Sequence, residues 1–189
     1  NLKIIPTFCD YTRYIKLPKS ISKTKIGFFL GSSIGNFYNK EEKKFLKNAK
    51  KTLGKKSFLF VGVDLIKNVK ILKKAYNDKG NFTAKFNLNL INIINKQFKT
   101  KLKVKDFKYM PTFNRKKSSM ENFIESKKDQ FFFIKKHKFY LKKGDKIQTE
   151  ISNKFTISKF TKLAKSSGWS VKKHWKDAKR YYAVFLLQA

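Results

Sequence analysis

The chain has 189 residues, with 46 Lys plus Arg against 12 Asp plus Glu, for a formal net charge of +34. That length suits one ordinary domain or parts of two, and 41% hydrophobic residues with 20 Phe supply enough apolar surface for a core, which excludes intrinsic disorder. No apolar run approaches the roughly 18 residues of a membrane span; the single cysteine, Cys9, excludes an intramolecular disulfide or a cysteine-based zinc cluster and fits the reducing cytoplasm.

The chain opens on Asn1, not Met, and Leu2, Ile4 and Ile5 read as a strand already under way, so it is expected to be the back part of a longer protein. Lys25 to Leu30 is a short apolar run entering Gly31-Ser32-Ser33-Ile34-Gly35-Asn36, which predicts a buried strand followed by a glycine-bearing loop. Asn39 is placed to cap a helix that opens with Glu41 and Glu42, carries the apolar pair Phe45 and Leu46, and ends near Leu53-Gly54. Ser57 to Val63 is almost wholly apolar, as in a central strand covered on both faces. Strand, loop, helix and strand at this spacing make a βαβ unit and predict a parallel sheet.

The middle of the chain changes character. Val69 to Tyr76 and Thr83 to Phe98 carry apolar residues at helical spacing, the second with Phe86, Leu90, Ile93, Ile94 and Phe98 along one stripe. Asp64 is expected to cap the first of these helices. Val104 to Tyr109, Ser118 to Ile124, Phe131 to Leu141 and Lys146 to Ser152 then read as four strands, with the clearest turn at Lys143-Gly144-Asp145. Helices followed by consecutive strands predict an α+β insertion with an antiparallel sheet. The end returns to the pattern of the start. A short helix from Ser158 to Ser167 is stopped by Gly168, and strands from Trp169 to Lys176 and Tyr181 to Leu187 follow, joined by a polar turn at Asp177-Ala178-Lys179.

Motifs for stand-alone chemistry are missing. His137 and His174 stand apart, without a second metal ligand at helical or hairpin spacing, and no Walker or Gly-x-Gly-x-x-Gly sequence occurs. Longer stretches do match something. Phe29-Leu30-Gly31-Ser32-Ser33-Ile34-Gly35-Asn36 resembles the FLGSTIGN block of the histidine-specific, S-adenosylmethionine-dependent methyltransferases. Gly62 to Lys67 resembles that family's GVDLVK, Ala75 to Asp78 its AYND, Phe86 to Leu90 its FNRNLL and Thr149 to Phe155 its TEVSHKF, all in the family's order. Cys9-Asp10-Tyr11 sits where the family has an Asp-Phe pair at a strand end.

The resemblance implies an α/β fold: the C-terminal half of a Rossmann-like class I methyltransferase sheet, ending in an antiparallel β-hairpin, with an inserted α+β substrate-binding domain. The expected boundaries are residues 1–66 with 155–189 for the Rossmann-like part and 67–154 for the insertion. The family's glycine-rich cofactor loop falls before the first residue, so the segment alone is expected to be inactive. The implied function is transfer of methyl groups from S-adenosylmethionine to the α-amine of L-histidine, as in ergothioneine biosynthesis, by a monomer. By the same resemblance Asn36 and Tyr76 grip the α-carboxylate and amine, and Gly31 leaves backbone close to the ligand. Glu150 and Ser152, two apart on a strand and so on one face, hydrogen-bond the two imidazole nitrogens, and Asp10 and Tyr11 contact the cofactor's adenine. Where the family usually reads Ile-Glu-Met, this chain has Met120-Glu121-Asn122, which puts a polar Asn122 at a position lining the substrate pocket.

Three rivals stand beside this reading: a methyltransferase of the same fold acting on another small amine, a basic nucleic-acid-binding module, and a degenerate remnant with no activity. The charge favours the second only weakly. Arg13, Arg115 and Arg180 are the only arginines, although arginine is the residue suited to bidentate phosphate and base contacts. Lysine is spread through every segment beside abundant Asn, Ile and Phe, all with AT-rich codons. Nucleotide bias accounts for that pattern, so no specific nucleic-acid partner is expected.

Overall fold

The computed structural model describes residues 3–18, 24–38 and 40–189; Asn39, the expected helix cap, lies outside them, as do Asn1 and Leu2. Ile4 and Ile5 are exposed and lie in irregular backbone, not in a strand. In chain order the elements are β1 (Ile26–Phe29), α1 (Glu41–Leu53), β2 (Phe58–Asp64), α2 (Val69–Tyr76), α3 (Phe82–Phe98), β3 (Phe107–Asn114), β4 (Ser119–Ser126), β5 (Gln130–Ile134), β6 (His137–Leu141), β7 (Lys146–Asn153), α4 (Ile157–Ser166), β8 (Ser170–Lys176) and β9 (Tyr182–Gln188). They form two compact units, Asn1–Ile66 with Phe155–Ala189, and Lys67–Lys154.

The first unit is built on a four-stranded sheet of order β1-β2-β9-β8. β1 runs parallel to β2, with Ile26 opposite Phe58, and the last strand, β9, inserts antiparallel between β2 and β8. Leu59, Val61 and Val63 of β2 are buried on one face of the sheet, whereas Phe60 on the other is only partly buried beside the exposed rings of Phe28 and Trp175, so β2 is not covered on both faces as its apolar run predicts, and β1 is not the buried strand expected. Phe45 and Leu46 turn α1 into the same core, and Phe160 and Ala164 do so for α4. Thr156 caps α4 by accepting the N–H of Lys159, and Gly168 takes the left-handed backbone (φ +87°) that ends it. Trp169 follows at once. Its ring is buried and its indole N–H donates to the Leu46 carbonyl at 2.9 Å, which ties the exit of α4 to α1. Asp177 closes the β8–β9 turn by accepting from the N–H groups of Lys179, Tyr181 and Tyr182.

Asp64 does not cap α2. Asn68 does, accepting the N–H of Lys70 at 2.8 Å. β2 continues through Asp64 itself, whose carbonyl accepts the N–H of Phe155, so the chain reaches the helix cap, Asn68, only four residues later.

The second unit holds a three-stranded antiparallel sheet of order β3-β4-β7 and a separate hairpin of β5 and β6. The run Phe131 to Leu141 therefore folds back on itself, through a turn in which Lys135 takes a left-handed φ of 54° without glycine or asparagine to announce it. Val104–Asp106 form a short 3-10 turn ahead of β3 instead of belonging to it. Ile91 of α3 packs with Phe107, Ile124 and Leu102 in this unit's core. The buried stripe of α3 runs through Asn87 and Ile91, while Phe86 and Ile93 of the expected stripe are exposed. The reason is polar: Asn87 faces inward with its amide bonded, so an apolar count rotates the stripe away from the true inward face.

Asp78, in the loop before α3, accepts the N–H groups of Phe82 and Thr83 and so serves two of the orphan donors of the helix's first turn. Hydrogen bonds from the Thr83 N–H and hydroxyl, then from the Phe82 N–H, hold its carboxyl down to about 2. Because the folded value lies below that of a free carboxylate, about 3.9, this stabilisation is present above that value and is lost as pH falls through about 2.

Replacing Trp169 by Ala should destabilise the first unit by about 3–5 kcal/mol, and by Phe, which loses the indole hydrogen bond but little packing, by about 1–2 kcal/mol; urea denaturation reads both. The D78A protein should show faster exchange of the Phe82 and Thr83 amide protons and a flatter acid limb in its stability profile. Unchanged exchange at those two amides would remove the capping role.

Candidate active site

In the first unit Gly31 and Asn36 lie in the segment that leaves the carboxyl end of β1, the end of a parallel strand where open α/β sheets bind ligands, while Asp10 and Tyr11 lie in irregular backbone ahead of β1. The loop after β1 places Gly31 (φ +73°) and Ser32 (φ 59°) in succession in left-handed backbone, a conformation that costs a serine about 1–3 kcal/mol. Two hydrogen bonds offset that cost. Ser32 Oγ accepts the Asp64 N–H at 2.8 Å, and the Gly31 N–H donates to Tyr182 Oη at 3.0 Å. Tyr182 crosses above Gly62, where a Cβ would lie 1.8 Å from its hydroxyl, so only glycine fits there. Gly31 is exposed, where a Cβ would meet only the Ser33 hydroxyl at 3.9 Å, and Asn36, closing the 3-10 turn Ser33–Asn36, is exposed with no side-chain hydrogen bond among the described residues. Asp10 is exposed; Thr12's hydroxyl first, then its N–H, hold its carboxyl below the usual range, and Arg13 pairs with it at 3.0 Å. The Tyr11 ring, half in solvent, lies against Phe29 (5.8 Å between centroids) and Phe45 (6.4 Å).

In the second unit four predicted residues fall into two hydrogen-bonded chains. Asn122 lies opposite Glu150 across β4 and β7. The Tyr109 hydroxyl donates to Asn122 Oδ1 at 2.8 Å, and Asn122 Nδ2 donates to Glu150 Oε2 at 2.8 Å. A carboxylate accepts only, so this order fixes which end of the amide points where. Glu150 Oε1 has no hydrogen bond among the described residues and can still accept one. In the second chain Lys154 Nζ donates to Ser152 Oγ at 2.7 Å and to Tyr76 Oη at 3.0 Å, with the ammonium 5.1 Å from the centre of the Tyr76 ring. Asn122, Ser152 and Lys154 are buried, whereas Tyr76 and Glu150 are partly open.

A bulge makes this arrangement possible. Asn122 pairs with Glu150 but the next residue, Phe123, pairs with Gln148, which leaves Thr149 as the extra residue of β7. The Thr149 hydroxyl bonds the Oδ1 of Asn87 and lies 3.1 Å from the Asn122 carbonyl, while Asn87 Nδ2 donates to the Thr83 carbonyl at 2.9 Å. Burial first, and then the negative charge of Glu150, push the Tyr109 phenol well above its ordinary range, with Tyr76 and Asp78 adding to the rise. Tyr109 therefore remains a donor to Asn122 throughout the neutral range.

Sequence reasoning misses Tyr109, Lys154, Asn87 and Tyr182. Lys154 carries a signal: it extends the alternation of Glu150 and Ser152 by one more step on the same face. Tyr109 and Tyr182 are tyrosines in strands, a placement ordinarily explained by packing, and Asn87 lies within a family-like block as an amide with no evident role.

Residues 1–189 match the family model described as histidine-specific methyltransferase, SAM-dependent. The chain belongs to that family. Among curated relatives, the ergothioneine biosynthesis protein 1 of Neurospora crassa is 37% identical over 86 residues, covering 46% of this chain and 10% of that protein. The histidine N-alpha-methyltransferase of Mycolicibacterium smegmatis is 28% identical over 129 residues, covering 67% of this chain and 40% of that enzyme. This chain thus spans less than half the length of either relative. A solved S-adenosylmethionine-dependent methyltransferase from Clostridium acetobutylicum aligns with 96% of this chain and 63% of its own at 9% identity, with a TM-score of 0.49.

The Tyr109–Asn122–Glu150 chain is open to a direct test. Y109F leaves a buried amide oxygen without its donor and should cost about 1–2 kcal/mol. In a double-mutant cycle Y109F and N122A should couple by at least about 0.5 kcal/mol. Independent effects in denaturant titrations would show that the two side chains do not act together.

Proposed function

We propose that the full-length protein methylates the α-amine of L-histidine, with S-adenosylmethionine as donor. The observation that supports this most is the pairing of a carboxylate and a hydroxyl, Glu150 and Ser152, on one face of β7, with Oε1 of Glu150 accepting no hydrogen bond among the described residues. An imidazole has two nitrogens on opposite sides of the ring and takes one partner on each. A site built this way discriminates strongly against rings that leave its buried polar groups unpaired.

By the family resemblance Tyr76 is assigned the α-carboxylate of the amino acid, and Asn36, beside the exposed backbone of Gly31, is assigned to substrate binding. A phenol holds a carboxylate by a neutral hydrogen bond. Asn122 acts on the substrate through Glu150, whose orientation it sets. Asp10 retains lone pairs beyond those taken by Thr12 and Arg13, and the Tyr11 ring is half in solvent, an acceptor and a stacking face that suit the adenine end of S-adenosylmethionine. When bound, that cofactor supplies the methyl group as a sulfonium. The protein's part is to hold the amine in line for displacement, and for such a reaction orientation supplies most of the acceleration. The reading extends to a monomer working in the cytoplasm; among the described residues no helix is long and apolar enough to cross a membrane.

Incubation of the full-length protein with histidine and S-adenosylmethionine should yield mass gains of one, two or three methyl groups. No gain with histidine, while another amine in a substrate panel is methylated, would move the function to that amine; no gain with any amine would overturn the activity. E150A should raise the KM for histidine about 10- to 100-fold through loss of a charge-assisted hydrogen bond. An unchanged KM would take Glu150 out of imidazole recognition.

A further inference from the structure

We propose that Lys154 is a positioning residue that turns the hydroxyls of both Tyr76 and Ser152 into donors toward the substrate, so that the site selects one neutral tautomer of the imidazole. The inference rests on the histidine reading above and adds a residue and a direction to it.

A lysine ammonium offers three donors and no acceptor. Its contacts with Ser152 Oγ at 2.7 Å and Tyr76 Oη at 3.0 Å therefore use lone pairs on both oxygens. Each hydroxyl has one proton, and that proton is left to point away from Lys154. Both side chains then present an O–H outward. From Tyr76 it meets the α-carboxylate, an acceptor. From Ser152 it meets a ring nitrogen, which accepts only if it carries no proton. Glu150 accepts at Oε1, which calls for an N–H on the other ring nitrogen. One ring nitrogen protonated and the other bare is a neutral imidazole in a single tautomer. Indole brings a donor with no acceptor, and phenyl brings neither.

The placement of Lys154 agrees with such a role. It is buried at 1% exposure, where a lysine is rarely found without partners. Glu150 and Ser152 lie on one face at the end of β7 and Lys154 is the residue just beyond it, its amine meeting Ser152 Oγ at 2.7 Å. The ammonium also lies 5.1 Å from the centre of the Tyr76 ring, which holds the phenol by its face as well as its oxygen.

A kinetic cycle in the full-length protein tests this. K154M should lower kcat/KM for histidine about 30-fold or more in the wild-type background, and less than about threefold once Y76F and S152A have removed the hydroxyls it directs. A lysine that merely packs would cost the same in both backgrounds. Should K154M fail to fold, K154Q, whose head carries an acceptor as well as a donor, takes its place in the same cycle. Additive losses in an active enzyme overturn this inference alone. A wild-type protein that leaves histidine unmodified overturns the functional reading and this inference with it.

Discussion

One extra residue in a strand decides where the polar chemistry of the second unit lies. Along a regular strand, residues three apart face opposite ways. Ile147 pairs with Ile124, in the core against α3, so in an unbroken β7 Glu150 would turn to the other face of the sheet. The bulge at Thr149 resets the alternation, and Ile147, Glu150 and Ser152 all come to the same side. One face therefore carries an apolar end under α3 and a polar end holding Tyr109, Asn122, Glu150 and Ser152. Asn87 keeps the bulge in place by bonding Thr149 from α3, which explains why an amide occupies an inward helical position that a leucine would fill more cheaply.

The first unit solves a related problem with backbone. The loop leaving β1 stays in left-handed conformation for two residues, held by Ser32 on Asp64 and by Tyr182 on Gly31. Tyr182 reaches Gly31 only because Gly62 has no side chain beneath it. Two glycines from separate family-like blocks thus serve one phenol, the first by permitting a positive φ and the second by giving room. Loop strain of this kind collects where a ligand is to meet backbone, which agrees with the exposed face of Gly31.

Much of this is legible in the sequence, and the failures have physical causes. Strand, helix and turn are readable where a period is long and apolar, as in Ser57 to Val63, or where glycine marks an end, as at Gly54 and Gly168. Glu150 and Ser152 can be placed on one face because alternation is local. The parity between Ile147 and Glu150 cannot, because a bulge inserts no special residue and announces itself only through the partner strand. The stripe of α3 misleads for the same sort of reason: hydrophobicity counts give Asn87 no weight, and its burial depends on Thr149, sixty-two residues away. The β5–β6 turn escapes because Lys135 takes a conformation that glycine or asparagine usually signals.

The lysine content illustrates how place decides what composition leaves open. A net charge of +34 invites a polyanion partner, yet most lysines stand in solvent, where their charges are screened and individually weak. Among the described residues Lys154 alone of the lysines is buried, and it touches two of the hydroxyls that family resemblance selects. Asn122 shows the same logic from the other side. An apolar residue there would leave the phenol of Tyr109 and the Oε2 of Glu150 without their partner in a half-buried site, a penalty for each. As an amide it satisfies both at once, since it alone among side chains of that size offers a donor and an acceptor in fixed opposition. The departure from the family's usual Met is therefore matched by its neighbours: a donor on one side and a carboxylate on the other.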